Sequence, residues 1–295
     1  MHRTNILFIG HGKIGRALEC VLQEKPRSTQ NIHAWDIDKR ASEASLKLAE
    51  AVPKADILFL TVPSWALSEV AAEIRQYLRP KAILVCVSKG LDRDGNTIDV
   101  LLKQLFKAQP FALCFGPMLA DELLAGKMGA AAIASKSRPV RDELTQLFKG
   151  TRLRTVAITD VHGTAVCGVL KNVYAMGLGI ASALHAGSNF QGQYVERALK
   201  EMSHILRLLG GKQTTLETPA GIGDFIATSF SVASRNVQYA SLIAQGKNPE
   251  FLSEGPISIE SLLKRLGGKA KAFPLLNAIH SIICKKGDPK RLLLA

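Results

Sequence analysis

Residues 5–15 read NILFIGHGKIG, and the first half of the chain follows from them. Asn5–Ile9 is an apolar run of strand length that passes straight into Gly10-His11-Gly12-Lys13-Ile14-Gly15. Beyond it Ile14, Ala17, Leu18, Val21 and Leu22 recur at helical spacing. The order is strand, tight glycine turn, helix. In a dinucleotide-binding unit Gly10 permits the turn, Gly12 lets the backbone approach a pyrophosphate, and Gly15 allows the helix to pack closely on the strand. Free N–H groups at the helix start, where Lys13 and Ile14 stand, bind the phosphates.

A second strand, Ile32–Trp35, ends at Asp36, roughly 20 residues past Gly15, as a dinucleotide fingerprint requires. Asp36 is expected to accept hydrogen bonds from the adenosine ribose and to repel a 2′-phosphate. That favours NAD and leaves NADP open. The competing reading is that Asp36 or Asp38 caps a helix beginning near Arg40.

Further apolar runs alternate with helical patterns: Ile57–Thr61 and Leu67–Leu78, Ala82–Val87 and Ile98–Phe106, Phe111–Phe115, Ala130–Ile133 and Val140–Leu147, and Leu153–Ile158. This alternation predicts an α/β fold with a doubly wound, mostly parallel Rossmann sheet. Ligands of such sheets sit beyond the carboxyl ends of the strands. Pro63 in Val62-Pro63-Ser64, Lys89 in Ser88-Lys89-Gly90-Leu91, and Gly116 and Met118 in Gly116-Pro117-Met118 all stand there. Lys89 is read either as a cation meeting phosphate or carbonyl oxygen or as a solvated loop lysine.

After Ile158 the alternation stops, and helices are predicted over about 161–184, 194–209, 225–233, 236–245, 257–266 and 274–284. The expected division is a dinucleotide-binding domain over 1–159 and an all-helical substrate domain over 160–295. Gly163–Leu184, GTAVCGVLKNVYAMGLGIASAL, is among the most apolar stretches, yet Lys171 and Asn172 sit at its centre. A membrane span is disfavoured, because a central lysine costs roughly 2.5 to 3.5 kcal/mol on insertion and no second hydrophobic stretch supports it. A snorkelling edge lysine is the ordinary alternative. A desolvated lysine, in contrast, has a lowered pKa and exchanges protons near neutral pH. Two further features are Gly221-Ile222-Gly223-Asp224 with Thr228 one turn later, and Ser234-Arg235-Asn236, whose guanidinium suits a phosphate. Taken singly, Asp224 reads as a helix N-cap and Arg235 as a surface arginine.

The chain has 295 residues and a formal net charge of +13, which favours anionic partners. Its basic residues are dispersed and no nucleic-acid module is recognisable, so a small phosphorylated ligand is expected rather than nucleic acid. Cys20, Cys86, Cys114, Cys167 and Cys284 show no Cys-x-x-Cys pair and no His spacing suited to zinc. Free buried thiols, no metal and a cytoplasmic location are the expectations. The four apolar residues Ile6–Ile9 are too short for a signal-peptide core.

Together the motifs GHGKIG, TVPS, SKGL, GPMLADEL, GVLKNVYAMGLG, ERALKEM, GIGDF, ASRN and Ser253-Glu254-Gly255 occur in an order that resembles the NAD(P)-dependent sn-glycerol-3-phosphate dehydrogenases of the soluble bacterial type. The resemblance covers nearly the whole chain. It implies a Rossmann domain followed by a helical domain, and reduction of dihydroxyacetone phosphate by hydride from the nicotinamide. It implies that Lys171 transfers the proton, that Lys89 contacts substrate, and that Asp224 with Thr228 holds the lysine and the substrate hydroxyl. Arg235 and Asn236, preceded by Ser234, would grip the phosphate, with Gly116 and Met118 beside the substrate. Pro63, Lys89, Ala120, Arg235 and Glu254 would join the glycine turn and Asp36 around the cofactor. A homodimer is left open.

Departures from the family pattern matter as well. Met118 stands where bacterial members usually carry a serine, Ile14 replaces an aromatic residue of the glycine loop, and Asp36-Ile37-Asp38 lacks the arginine that would meet a 2′-phosphate. The stretch between Asp38 and Asp56 is short, which leaves the adenine side open. Met118 motivates an alternative, a related dehydrogenase of another phosphorylated or carboxylated hydroxy compound. A non-catalytic dinucleotide-binding regulator is a third reading, and it has no use for Lys89, Lys171, Asp224 and Arg235 together.

Overall fold

The first apolar run forms β1 (Thr4–Ile9), and Ile6–Ile9 are buried whichever face they point to, as a strand covered by helices on both sides requires. In this computed structural model residues 3–26, 29–38, 46–91 and 95–294 are described. α1 (Lys13–Leu22) lays Ala17, Leu18, Val21 and Leu22 on the sheet. β2 (Gln30–Trp35), α2 (Leu48–Ala51), β3 (Ile57–Leu60), α3 (Leu67–Ile74), β4 (Ile83–Cys86) and α4 (Ile98–Phe106) follow. Next come β5 (Phe111–Phe115), α5 (Ala120–Leu124), β6 (Gly129–Ala134), α6 (Arg138–Phe148) and β7 (Leu153–Ile158).

The seven strands form one sheet in the order β2-β1-β3-β4-β5-β6-β7. All neighbours pair parallel except β5 and β6, which run antiparallel. The register pairs Ile9 with both Trp35 and Leu60, and Leu60 with Cys86. Four strands therefore end in line, and their exit loops emerge together where the strand order reverses between β1 and β3, the place at which such sheets bind ligands.

After β7 the described residues contain only helices and turns: α7 (Val161–Ala183), α8 (Gly187–Leu208), α9 (Gln213–Leu216), α10 (Asp224–Phe230), α11 (Arg235–Ala244), α12 (Glu254–Leu266), α13 (Pro274–Lys285) and α14 (Arg291–Leu294). The expected α/β sheet followed by a helical region is thus what forms. α7 is long and apolar enough to cross a membrane, but its apolar stretch is enclosed by protein on every side, as befits a central helix. Asp160 caps it by accepting from the Gly163 N–H at 3.0 Å. At Gly179 an added Cβ would lie 2.3 Å from the Val237 carbonyl oxygen, so glycine is what lets α11 come this close. Val161 and Ala165 of α7 share a core with Leu60, Leu113 and Phe115 of the sheet, which seats the helix against the strand ends.

Two expectations need correction. α8 begins at Gly187 rather than Tyr194, because its first two turns have Phe190 as their one large apolar residue and so carry no apolar period. The cysteines are all free, but only Cys86, Cys114 and Cys167 are buried; Cys20 and Cys284 are partly exposed. The expected helix near Arg40 falls outside the described residues.

Candidate functional site

The glycine turn has the geometry its residue types call for. Gly10 has φ +91°, and a Cβ there would lie 2.7 Å from Val62 Cγ1. A Cβ on Gly15 would lie 2.5 Å from the Gly10 carbonyl oxygen, so the helix can sit this close only without a side chain. Gly12 differs: nothing lies within 4 Å of an added Cβ. That open space adjoins the start of α1, where no side chain caps the first-turn N–H groups. An anion fits there. Asp36, at the exit of β2, accepts from the His11 N–H at 2.5 Å and from the Asp38 N–H at 2.9 Å. A carboxylate has about four acceptor positions, so two remain for ribose hydroxyls. Thr61, which sequence reading passed over, holds the turn by donating to the carbonyls of Ile9 and Gly10.

Beyond β4 the Ser88 hydroxyl donates to the Val62 carbonyl and ties two strand exits together. Lys89 then reaches across to α10. Its Nζ donates to Asp224 Oδ2 at 2.6 Å and to the Gly116 carbonyl at 3.3 Å, and it stands 5.4 Å from the centre of the Phe115 ring. From the other side Lys171 donates to Thr228 Oγ1 at 3.0 Å and stands 3.5 Å from Asp224 Oδ1. Thr228 in turn donates to Asp224 Oδ1 at 3.3 Å. Asp224, 3% exposed, is thus shared by two ammonium groups from opposite halves of the chain. A five-residue π-helical turn, Pro219–Gly223, delivers it; a Cβ on Gly221 would lie 2.1 Å from the Leu216 carbonyl, which explains that glycine.

Burial holds the Lys171 ammonium below the ordinary lysine range. Asp224 opposes this and the charge of Lys89 adds to it. Lys171 is neither a snorkelling lysine nor a lone charge. Beside it Asn172 Nδ2 donates to Glu254 Oε2 at 2.9 Å, and Asn236 Nδ2 donates to Asn172 Oδ1 at 2.9 Å. Asn236 Oδ1 accepts from Ser253 Oγ at 2.5 Å and from the Gly255 N–H at 2.9 Å. This chain crosses α7, α11 and α12 and ends where Ser64 Oγ donates to Glu254 Oε1 at 3.5 Å. Burial pushes the Glu254 carboxyl above its ordinary value, against the pull of Lys171 and Asn172.

A cleft of about 790 Å³ opens between the strand exits and these helices. Gly12, Lys13, Ile14, Pro63, Lys89, Met118 and Ala120 line it from the sheet side. Lys171, Asn172, Thr228, Ser234, Arg235, Asn236 and Glu254 line it from the helices. Gly10, Gly15, Asp36, Gly116 and Asp224 are not part of that lining; Gly116 and Asp224 meet it through Lys89, and the others shape the turn. Ser234 is the N-cap of α11, accepting from the Val237 N–H at 3.4 Å. Exposed Arg235 therefore opens a helix whose N-terminus faces the cleft. Asn236 has one amide proton left after its network bonds. Lys13 pairs with Asp121 at 3.1 Å across the rim, an exposed bond a ligand can displace. Met118 is buried with its sulfur 4.0 Å from Cys114 Sγ. Trp65, half-buried, and Val232 and Leu252, largely exposed, also line the cleft. No spacing in the sequence marked these three, although Trp65 directly follows the Val62-Pro63-Ser64 exit.

The model of the NAD-dependent glycerol-3-phosphate dehydrogenase N-terminus matches residues 39–140, and that of the C-terminus matches residues 160–294. A glycerol-3-phosphate dehydrogenase [NAD(P)+] of Acinetobacter baylyi is 32% identical over 254 residues, 83% of this chain and 71% of the relative. One from Alcanivorax borkumensis is 28% identical over 322 residues, 99% and 93% of the two chains. The crystal structure of glycerol-3-phosphate dehydrogenase from Coxiella burnetii superposes with a TM-score of 0.87 at 24% identity, covering 99% of this chain and 98% of that one. The chain belongs to the NAD-dependent glycerol-3-phosphate dehydrogenase family.

Proposed function

We propose that the protein reduces dihydroxyacetone phosphate to sn-glycerol 3-phosphate with NADH, and that Lys171 protonates the oxygen formed at the central carbon. The observation that carries this reading is the cluster in which Lys171 and Lys89 share Asp224 at the wall of the cleft. When bound, the reduced nicotinamide supplies the hydride. Lys171 stands ready as the acid because burial has lowered its proton affinity, and Lys89 stabilises the negative charge on oxygen as it develops. Asp224 holds both ammonium groups, and Thr228 fixes the direction of Lys171. Arg235 and the N-terminus of α11, with Ser234 and Asn236, anchor the phosphate and so align the carbonyl.

The glycine turn, Lys13, Ile14, Pro63, Ala120 and Glu254 would hold the dinucleotide. Asp36 would favour NAD by accepting from the ribose and repelling a 2′-phosphate. Initial rates with dihydroxyacetone phosphate and either NADH or NADPH test the reading. NADH is expected to be preferred, and Asp36→Ala to narrow the preference. No turnover by a protein that binds NADH would overturn the assignment. Met118 favours a second reading: its thioether packs on Cys114 and offers the substrate little hydrogen bonding, as would suit a related hydroxy compound. A substrate panel in which another ketone outperforms dihydroxyacetone phosphate selects it.

A further inference from the structure

Away from the cleft, α12 and α13 bring three metal-ligating side chains together. Glu260 of α12 and His280 and Cys284 of α13 each offer one ligand atom, and these atoms all lie within 4.8 Å of one another. His280 and Cys284 stand four residues apart, so one face of α13 presents both. Glu260 comes from a different helix, which is why sequence spacing hides the cluster. Among the described residues none of the three side chains has a hydrogen bond or an ion pair, although all three are polar and two are partly buried. None lines the cleft.

We propose that Glu260, His280 and Cys284 form a binding site for a zinc-type divalent cation that ties α12 to α13. A thiolate, an imidazole and a carboxylate are the donor set such a cation takes, whereas magnesium and calcium prefer oxygen alone. Tetrahedral zinc, with bonds of about 2.0 Å to N or O and about 2.3 Å to S, needs its ligand atoms about 3.3 to 3.6 Å apart. The three ligand atoms lie within 4.8 Å of one another, and the exposed Glu260 side chain is free to adjust its rotamer toward that spacing. On binding, Cys284 forms a sulfur–metal bond and releases its proton to solvent, the imidazole binds neutral through one nitrogen, and water completes the fourth position. No electron changes hands, and the two ligand charges balance the cation. Lys264 and Lys285 stand nearby but are exposed, so water screens them. The clamp bears on the cleft at one remove, because α12 begins at Glu254, about 9 Å along the helix from Glu260.

The test is calorimetric titration of the full chain with zinc, followed by thermal unfolding and cobalt spectroscopy. The expected result is one cation per chain, a thiolate-to-metal charge-transfer band with cobalt, and an unfolding midpoint raised by about 3 to 5 °C at a hundredfold excess over Kd. His280→Ala and Cys284→Ser should each weaken binding at least about tenfold. Glu260→Gln, at an exposed position, keeps the fold and should also weaken binding, so it decides the matter if a variant on α13 does not fold. Absence of saturable binding below about 100 µM, or equal affinity in wild type and Glu260→Gln with no thiolate band, overturns the proposal.

Discussion

Replacing Asp224 by asparagine keeps the shape of the side chain and removes the negative charge that Lys89 and Lys171 share. The two ammonium nitrogens stand 2.6 and 3.5 Å from its oxygens. At an effective dielectric constant of about 20 each attraction is on the order of 5 kcal/mol, before the cost of desolvating the charges is subtracted. Breaking a buried pair from one side typically costs about 3 to 5 kcal/mol, unless one of the stranded cations gives up its proton. Lys171 is the one to do so, since burial already lowers its proton affinity and Asp224 is what opposes that. Asp224→Asn should therefore lower the unfolding midpoint by several degrees and lower the proton affinity of Lys171 further. Because reduction requires a protonated acid, its rate falls as pH rises through the Lys171 pKa, and in the variant that fall begins at lower pH. The assay is NADH oxidation with dihydroxyacetone phosphate between about pH 6 and 10, a range that brackets the titration of a perturbed lysine. A rate at least about 100-fold below wild type near neutral pH is expected, the scale of lost proton transfer. A variant with kcat within about threefold of wild type and an unchanged pH profile would refute the reasoning.

The two helix-start glycines should behave in opposite ways. Gly12→Ala adds a Cβ into open space, so its stability should stay near wild type while NADH affinity falls at least about tenfold, or 1.4 kcal/mol. Gly15→Ala drives a Cβ toward the Gly10 carbonyl and should cost about 1 to 3 kcal/mol in urea unfolding. His162 faces acceptors from both ring nitrogens, Asp99 at 3.2 Å and the Leu209 carbonyl at 2.9 Å, and the Asp99 bond raises its pKa against the effect of burial. A raised histidine pKa gives stability that is whole below about pH 6.5 and lost as pH climbs through the folded-state value. His162→Gln should accordingly cost about 1.5 to 3 kcal/mol below pH 6.5 and flatten the decline of stability toward alkaline pH, as read by urea unfolding at both ends of the range.

Much of the fold was legible because its elements are written in local apolar pattern. Phe111–Phe115, Leu153–Ile158 and Ile98–Phe106 have the same bounds in sequence reading and in structure: the first is a continuous apolar run, the second is rich in β-branched residues, and the third has a clear helical period. The antiparallel turn of β6 was not legible as such, because strand direction leaves no mark on composition. The first turns of α8 were missed because Gly187-Ser188-Asn189 and Gly192 disfavour helix locally and tertiary packing overrides them. At the site, residue types were readable and partnerships were not. A lysine at a strand end and an aspartate after a glycine turn each had an ordinary explanation, and only the fold closes the 135 residues between Lys89 and Asp224 to 2.6 Å. The chain from Asn236 through Asn172 to Glu254 is likewise a product of three helices meeting, and no single segment announces it.

The central claim is that Lys171 is the proton donor and is not needed to hold the dinucleotide. Lys171→Met tests it most directly, because Asp224 keeps Lys89 as its partner and the apolar replacement suits a buried helix. NADH binding, followed through the fluorescence of Trp65 in the cleft wall, is measured beside the rate of dihydroxyacetone phosphate reduction on the same preparation. The account predicts NADH affinity within about threefold of wild type and kcat lowered by at least about 100-fold, with an unfolding midpoint no lower than wild type. A Lys171→Met protein that turns over within about tenfold of wild type, or that loses NADH binding in step with its rate, contradicts it.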